Sequence, residues 1–427
     1  MDRKNFLASL GLLTGGALTG YGKDLYSGQP AYVPELAAAG EDVWSVIRGE
    51  FSFPEGYVYL NTGGIGSVPR HVRSLVSDAW FQLESNPTPG HDLNKWNSLK
   101  KDVAVLMGPG VDQQEIALIS SATEGINIIL NGLPLQKGDE VITSSHEHPA
   151  LNVPLLNLVK RKGIVIKTFE PDRTSGLNNV KLIGNLISKK TRLIFVSHRT
   201  TTTGQLLPVK EIGELARLKN IWFALDGAQA PGSMLIDVKG WNADFYTFSS
   251  HKWILAPRRT GVLYVAKDKQ DIVAPVTVGA YSDNGYSISE GTLNFQNSAQ
   301  RYEYGTVNEL LYLGFHASLK FINSIGIPAI REHNEKLSEN FRNELEKING
   351  CDILSSAERE YRSSMITFRL PEKSLNEISG AMGKDNIRVR PVGEADLNGV
   401  RVSFHIYNNE NDLDRAVESI KKLTSNL

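Results

Sequence analysis

The sequence predicts an α/β protein: a mostly parallel seven-stranded central sheet with helices on both faces, followed by a smaller α+β C-terminal domain. Three observations lead there. Short apolar runs recur through the middle of the chain with helix-period segments between them, and strand–helix–strand alternation is the pattern of a parallel sheet covered on both sides. After about Tyr312 the pattern changes: a long amphipathic stretch, about 307–348, precedes two separated strand-like runs. Finally, 427 residues of which 41% are hydrophobic can bury a large core with a second, smaller one beside it.

Taken in order, residues 1–40 form a segment of their own. Arg3 and Lys4 precede a mostly apolar run from Phe6 to Leu18, the shape of an export signal, too short to span a bilayer and similar to a twin-arginine signal with lysine at the second basic position. It reads either as a signal that exports the protein to the periplasm or as a tail on a cytoplasmic protein. A large domain is expected over 41–310. Its seven strands are "EIALIS" (115–120), "DEVITSS" (139–145), "IVIKTF" (164–169), "TRLIFVS" (191–197), "IWFALD" (221–226), "ADFYTFS" (243–249) and "GVLYVA" (261–266). Between strands, "PVKEIGELARLKN" (208–220) places Val209, Ile212, Leu215 and Ala216 at helical spacing. The small domain, 311–427, ends in the strand-like runs "SSMITFRL" (363–370) and "GVRVSFHIY" (399–407).

A formal net charge of −1 sets up no field that would favour nucleic acid or an anionic membrane surface. The partner is therefore expected to be a small molecule, with no membrane span in the mature protein. A single cysteine, Cys351, rules out an intrachain disulfide and any cysteine-built metal cage.

In open α/β sheets the ligand lies beyond the carboxyl ends of the strands, so the residues just after each strand carry the argument. "SSATEGINIIL" (120–130) has the Ser121/Glu124 spacing of a capping box ahead of an apolar helix. It is either a plain cap or a phosphate site made by the first-turn N–H groups of Ala122 and Thr123 and the Thr123 hydroxyl. "HEHPA" (146–150) offers two histidines as ring-stacking groups, surface residues or metal ligands; no further metal-ligand spacing accompanies them, and no metal is expected. Asp226 ends an apolar strand and is followed by small residues, "GAQA", so it is either an N-cap or a carboxylate awaiting a cation. "FSSHKWILAP" (248–257) places Lys252 in surroundings that read as buried, which calls for an ion pair or for an amine of lowered pKa. Phosphate donors, a flat ring to stack, a carboxylate and a poorly solvated amine are together what pyridoxal 5'-phosphate requires.

With these motifs in hand, the chain resembles the class V aminotransferase family of pyridoxal-phosphate enzymes, which includes cysteine desulfurases and isopenicillin N epimerase-like proteins. The resemblance rests on eight motifs in order: "YLNTGGIGSVP", "SATEGIN", "HEHPA", "SHRTTTTGQLLPV", "DGAQAPG", "SSHKW", "EYGTVN" and "VRVSFHIYN". It implies the fold-type I architecture of pyridoxal-phosphate transferases. It also implies that Lys252 carries the cofactor covalently, that Asp226 holds the pyridine nitrogen, that Gln229 lies near the ring hydroxyl and that His148 stacks on the ring. Thr123, Ser249 and His251 match phosphate ligands, Thr201 sits in the cofactor site, and Thr306 matches a threonine that reaches the neighbouring subunit's phosphate, implying a homodimer with shared sites. Arg401 resembles the arginine that takes the substrate α-carboxylate, with Arg390 a second candidate; Asn61, Thr62 and Gly63 line the substrate mouth.

Desulfurases of this family place a catalytic cysteine in the loop corresponding to 391–400, which here reads "PVGEADLNGV". Without a thiol there, persulfide chemistry is not expected. The expected function is an enzyme acting at the α-carbon of an amino acid or amine, first an aminotransferase, with an epimerase or a β-lyase as alternatives. Lys252 and Asp226 would serve as base and electronic partner, and His148 would be the group beside the ring. A non-catalytic binding protein would have no need of Lys252.

Overall fold

A computed structural model describes residues 42–87 and 92–424; the N-terminal segment read as a signal or tail lies outside them. The seven expected strands all form. They are β1 (Ile116–Ile119), β2 (Glu140–Ser144), β3 (Val165–Phe169), β4 (Thr191–Ser197), β5 (Trp222–Asp226), β6 (Phe245–Ser249) and β7 (Gly261–Val265). They make one sheet in the order β1-β7-β6-β5-β4-β2-β3. Only β7 runs against the rest, pairing antiparallel with both β1 and β6, while β6·β5, β5·β4, β4·β2 and β2·β3 are parallel.

Side chains alternate across the sheet, and both faces are apolar. On one face Ile194, Val196, Phe223 and Leu225 pack with Ile212 and Ala216 of α3 (Val209–Leu218). On the other, Leu193, Phe195, Ala224 and Leu263 pack with α1 (Ala122–Gly132) and α2 (Pro149–Lys162) through Ile126, Ile129, Leu151 and Leu155. Burial on both faces is why these strands read as near-continuous apolar runs.

The long helical region is two helices, α4 (Glu309–Ile325) and α5 (Ile327–Leu345), bent by 76°. Gly326 sits between them at φ 91 and Pro328 opens the second. A left-handed residue followed by proline ends one helix and starts the next. Beyond them a second, antiparallel sheet forms from β8 (Asp352–Ile353), β9 (Met365–Arg369), β10 (Arg390–Val392) and β11 (Gly399–Ser403), in the order β8-β9-β11-β10. The segment from Val43 to Asn61, expected with the large domain, also reaches the second sheet and the helices before it. Val58–Tyr59 pairs in parallel with Ile387–Arg388, Val58 and Leu60 join the core beneath the second sheet, and Ile47 and Phe51 pack against α4 and α5.

Two consequences position the site. Since β1, β2, β4, β5 and β6 point the same way, Ser121, His148, Thr201, Asp226 and Lys252 all follow strands that end at one edge of the sheet. The N-terminal segment then crosses that edge: Gly66 N–H donates to His251 O at 2.8 Å, and a Cβ on Gly66 would stand 2.0 Å from the Lys252 carbonyl oxygen. Only a residue without a side chain fits there. Gly66→Ala is expected to lower stability in urea unfolding by roughly 1–3 kcal/mol, as overpacking does. Gly380→Ala, where a Cβ meets nothing within 4 Å inside a helix, should be neutral or slightly stabilising.

Candidate active site

Lys252 follows β6 on a turn held from several sides. Ser250 Oγ donates to Thr260 O at 3.0 Å. Trp253, fully buried, donates from Nε1 to Gln229 Oε1 at 2.9 Å, and its carbonyl receives Nε2 of His405 at 2.8 Å. Leu255, also fully buried, is left-handed at φ 59, a conformation costly for such a side chain and held only because its surroundings dictate it. Burial and the nearby Arg401 and Arg390 lower the Lys252 pKa to about 8, against an opposing pull from Asp226.

Asp226 ends β5 almost fully buried and accepts one backbone N–H, from Ala228 at 2.8 Å; among the described residues it makes no ion pair. Burial raises its pKa. Beside it lies a carboxyl that sequence reasoning missed. Glu147 is buried, accepts from Ser144 Oγ at 2.6 Å and from Ser197 N at 3.0 Å, and is pushed up to about 7 by burial and by the charge of Asp226. Its neighbour His148 caps α2, its Nδ1 accepting from Ala150 N at 3.1 Å. That bond fixes the ring and leaves the proton on Nε2. Burial, then Lys252 and Arg390, depress the imidazole to about 4, so it is neutral at pH 7. His146 of the same motif bonds Glu170 and Thr202 instead.

Where a phosphate is expected, Ser121 Oγ caps α1 by accepting from Glu124 N at 3.2 Å. The Glu124 carboxylate turns to Ser120 N and Oγ rather than back to Ser121, so the box is not reciprocal. The Ala122 N–H, expected toward a phosphate, is held by Ser249 Oγ at 2.8 Å, which leaves the serine hydroxyl proton to donate. Thr123 is exposed in the first turn. His251 Nδ1 is buried without a partner.

The second sheet closes the site. Arg401 is fully buried and meets only neutral acceptors: Thr201 O, Thr201 Oγ1 at 3.3 Å and Asn61 Oδ1 at 3.4 Å, with Nε unpartnered. Gln229 Nε2 donates to Gly63 O at 2.9 Å and to Thr201 Oγ1 at 3.3 Å, so its amide ties the crossing segment to the site. A Cβ on Gly63 would meet Arg401 Nη2 at 2.9 Å. Thr62, expected at the mouth with these two, is instead fully buried with its hydroxyl on Tyr407. Arg390 differs from Arg401: it is ion-paired to Glu394. Thr306 is exposed, three residues after Glu303, whose carboxylate is locked by Lys100 at 2.8 Å, Trp96 Nε1 and Leu118 N. Trp96 thus packs in the core, and Trp44 stacks on His333.

The residues from 84 to 416 match the model of the family described as Aminotransferase class-V. This chain belongs to the class V aminotransferase family. A probable cysteine desulfurase of Pyrococcus abyssi is 26% identical over 401 residues, covering 89% of this chain and 98% of the relative. The isopenicillin N epimerase of Amycolatopsis lactamdurans is likewise 26% identical, over 398 residues, with coverage of 89% and 98%. Among solved structures, the complex between the cystine C-S lyase C-DES and its reaction product cysteine persulfide superposes with a TM-score of 0.78 at 24% identity, covering 86% of this chain and 98% of that one. These neighbours share the fold-type I architecture. The cofactor of the family is pyridoxal phosphate, and the unmatched groups fit it. Asp226 lacks a cation, His251 Nδ1 faces no partner, Lys252 has a lowered pKa and His148 offers a neutral ring.

At a pKa of about 8, Lys252 is about half neutral at pH 8, where an ordinary lysine is almost wholly cationic. A lowered pKa means that the reactive free amine is lost as pH falls through about 8. The rate at which cofactor-free protein captures pyridoxal phosphate, followed by the visible absorbance, is expected to rise with pH and level off just above 8. A rate still climbing beyond pH 10 would contradict the assignment.

Proposed function

We propose that this class V enzyme is an aminotransferase acting at the α-carbon of an amino acid, with Lys252 as covalent anchor and base. When bound, pyridoxal phosphate supplies an electron sink that stabilises negative charge at a substrate Cα. Asp226 keeps the ring nitrogen protonated, since a buried carboxylate without another cation is best compensated there. Ser249, His251, Thr123 and the N-terminus of α1 hold the phosphate, and His148 and Gln229 orient the ring.

Arg401 takes the substrate α-carboxylate. A guanidinium forks onto a carboxylate through two parallel N–H bonds, and Arg401, beside Asn61 and Thr201, is fully buried with neutral acceptors alone. With its amine free, Lys252 Nζ would be a largely neutral base able to take the Cα proton of a bound substrate and hold it on its own side. Return to Cα from the opposite face, which epimerisation needs, would require a second acid there, for which the Nε2–H of His148, whose Nδ1 is committed to its helix cap, is the group to test. The observation that supports transamination is Lys252, a buried amine of lowered pKa able to move a proton along its own side of the site.

A persulfide route lacks its nucleophile. Cys351, the one thiol, packs against the core of the second sheet and is pushed up to about 12 by burial and Asp352. The exposed Thr306 supports a homodimer in which it reaches the neighbouring subunit's phosphate.

Mixing the holoprotein with a panel of amino acids should convert the visible band to the near-ultraviolet band of the amine form, and oxo acids should restore it. Deuterium exchange at Cα with an unchanged visible band would instead identify an epimerase, and oxo-acid release without the amine form a lyase. Lys252→Ala should retain the cofactor while turnover falls by roughly 10²–10⁴-fold or more, the scale of a lost general base. Undiminished turnover would refute the role.

A further inference from the structure

Arg390 and Arg401 face each other. They are register partners in the antiparallel pair β10·β11, so their side chains leave the same face of the sheet as direct neighbours, where like charges oppose one another. Only one is neutralised. Arg390 Nη2 pairs with Glu394 Oε1, whereas Arg401 has neutral acceptors alone.

Glu394 is held where it is by the connection from β10 to β11. Ala395, Asp396 and Asn398 are all left-handed, at φ 52, 53 and 46, and three non-glycine residues in that region make a shape that persists only when anchored. The anchor is Asn398, whose Oδ1 accepts from Leu375 N at 2.9 Å and whose Nδ2 donates to Lys373 O at 3.2 Å. The pair borders the reaction space. The charge of Glu394 acts on His148 and Arg401, and that of Arg390 on Lys252 and His148. Arg390 also keeps one buried donor, Nη1, without a partner.

We infer that the Arg390–Glu394 pair sets side-chain specificity: Glu394 masks Arg390, leaves Arg401 to take the α-carboxylate, and turns away substrates whose side chain carries a second carboxylate. A side-chain carboxylate can reach Arg390 only by breaking the pair. That strands Glu394, half-buried and negative, beside another negative charge, and an unpaired charge or like-charge contact in such a place is strongly unfavourable. Side chains that are uncharged or carry a donor meet no such penalty. The inference rests on the reading of Arg401 as the α-carboxylate site.

The test uses holoenzyme and calorimetric binding of two unreactive probes, butyrate and glutarate, which differ by one carboxylate. Wild type should bind butyrate at least as tightly as glutarate. Glu394→Gln, isosteric and uncharged, should shift the ratio toward glutarate by about tenfold or more, the scale of one freed charge pair, and Arg390→Gln added to it should cancel the gain. A wild type that prefers glutarate overturns the inference without any variant. So does a ratio that Glu394→Gln leaves unchanged while both probes still bind. Holoenzyme that binds neither probe removes the Arg401 reading and this inference together.

Discussion

The carboxylate of Asp226 is the charge around which the site is built. It ends an apolar strand in the middle of the sheet with one N–H bond and no cation, and a second carboxyl, Glu147, is buried close enough to feel its charge. Burying a carboxylate this way is unfavourable unless a positive group arrives. The neighbouring amine does not fully serve, because burial and two arginines draw Lys252 toward its neutral form. On the proposed reading, a protonated ring nitrogen would answer that need and leave Lys252 neutral enough to act as nucleophile and base. The stability that such a site forfeits is offset by the apolar layers on both faces of the sheet.

The second constraint is convergence. Lys252 and Asp226 come from the first sheet and Arg401 from the second, and the segment from Asn61 to Gly66 ties them together. Gln229 bridges Gly63 to Thr201, Arg401 reaches Thr201 and Asn61, and Gly66 lies against the backbone of Lys252. The groups that converge here are thus joined by contacts distant in sequence.

Much of this was legible beforehand because the strands are buried on both faces and the functional groups stand at their ends. Seven strands and the ordered motifs after them needed no long-range information. The parts that escaped are those set by tertiary contacts. The two-residue pairing of Val58–Tyr59 with Ile387–Arg388 leaves no periodicity to detect. The break between α4 and α5 did carry a signal, glycine followed by proline two residues on, inside an otherwise helical pattern. Thr62 and Ala122 were placed by motif, yet a partner elsewhere in the chain, Tyr407 for one and Ser249 for the other, takes the group expected to face the ligand. Glu147 and Glu394 looked like ordinary acids, one beside a histidine and one four residues after an arginine; only the packing shows the first buried near Asp226 and the second over the site.

The central claim is that Lys252 is the residue that holds the cofactor. Borohydride reduction of the holoprotein followed by peptide mass spectrometry tests it directly. One phosphopyridoxyl adduct per chain is expected, on the peptide containing Lys252, with loss of the visible band. Adducts scattered over surface lysines, with Lys252 unmodified, would contradict it.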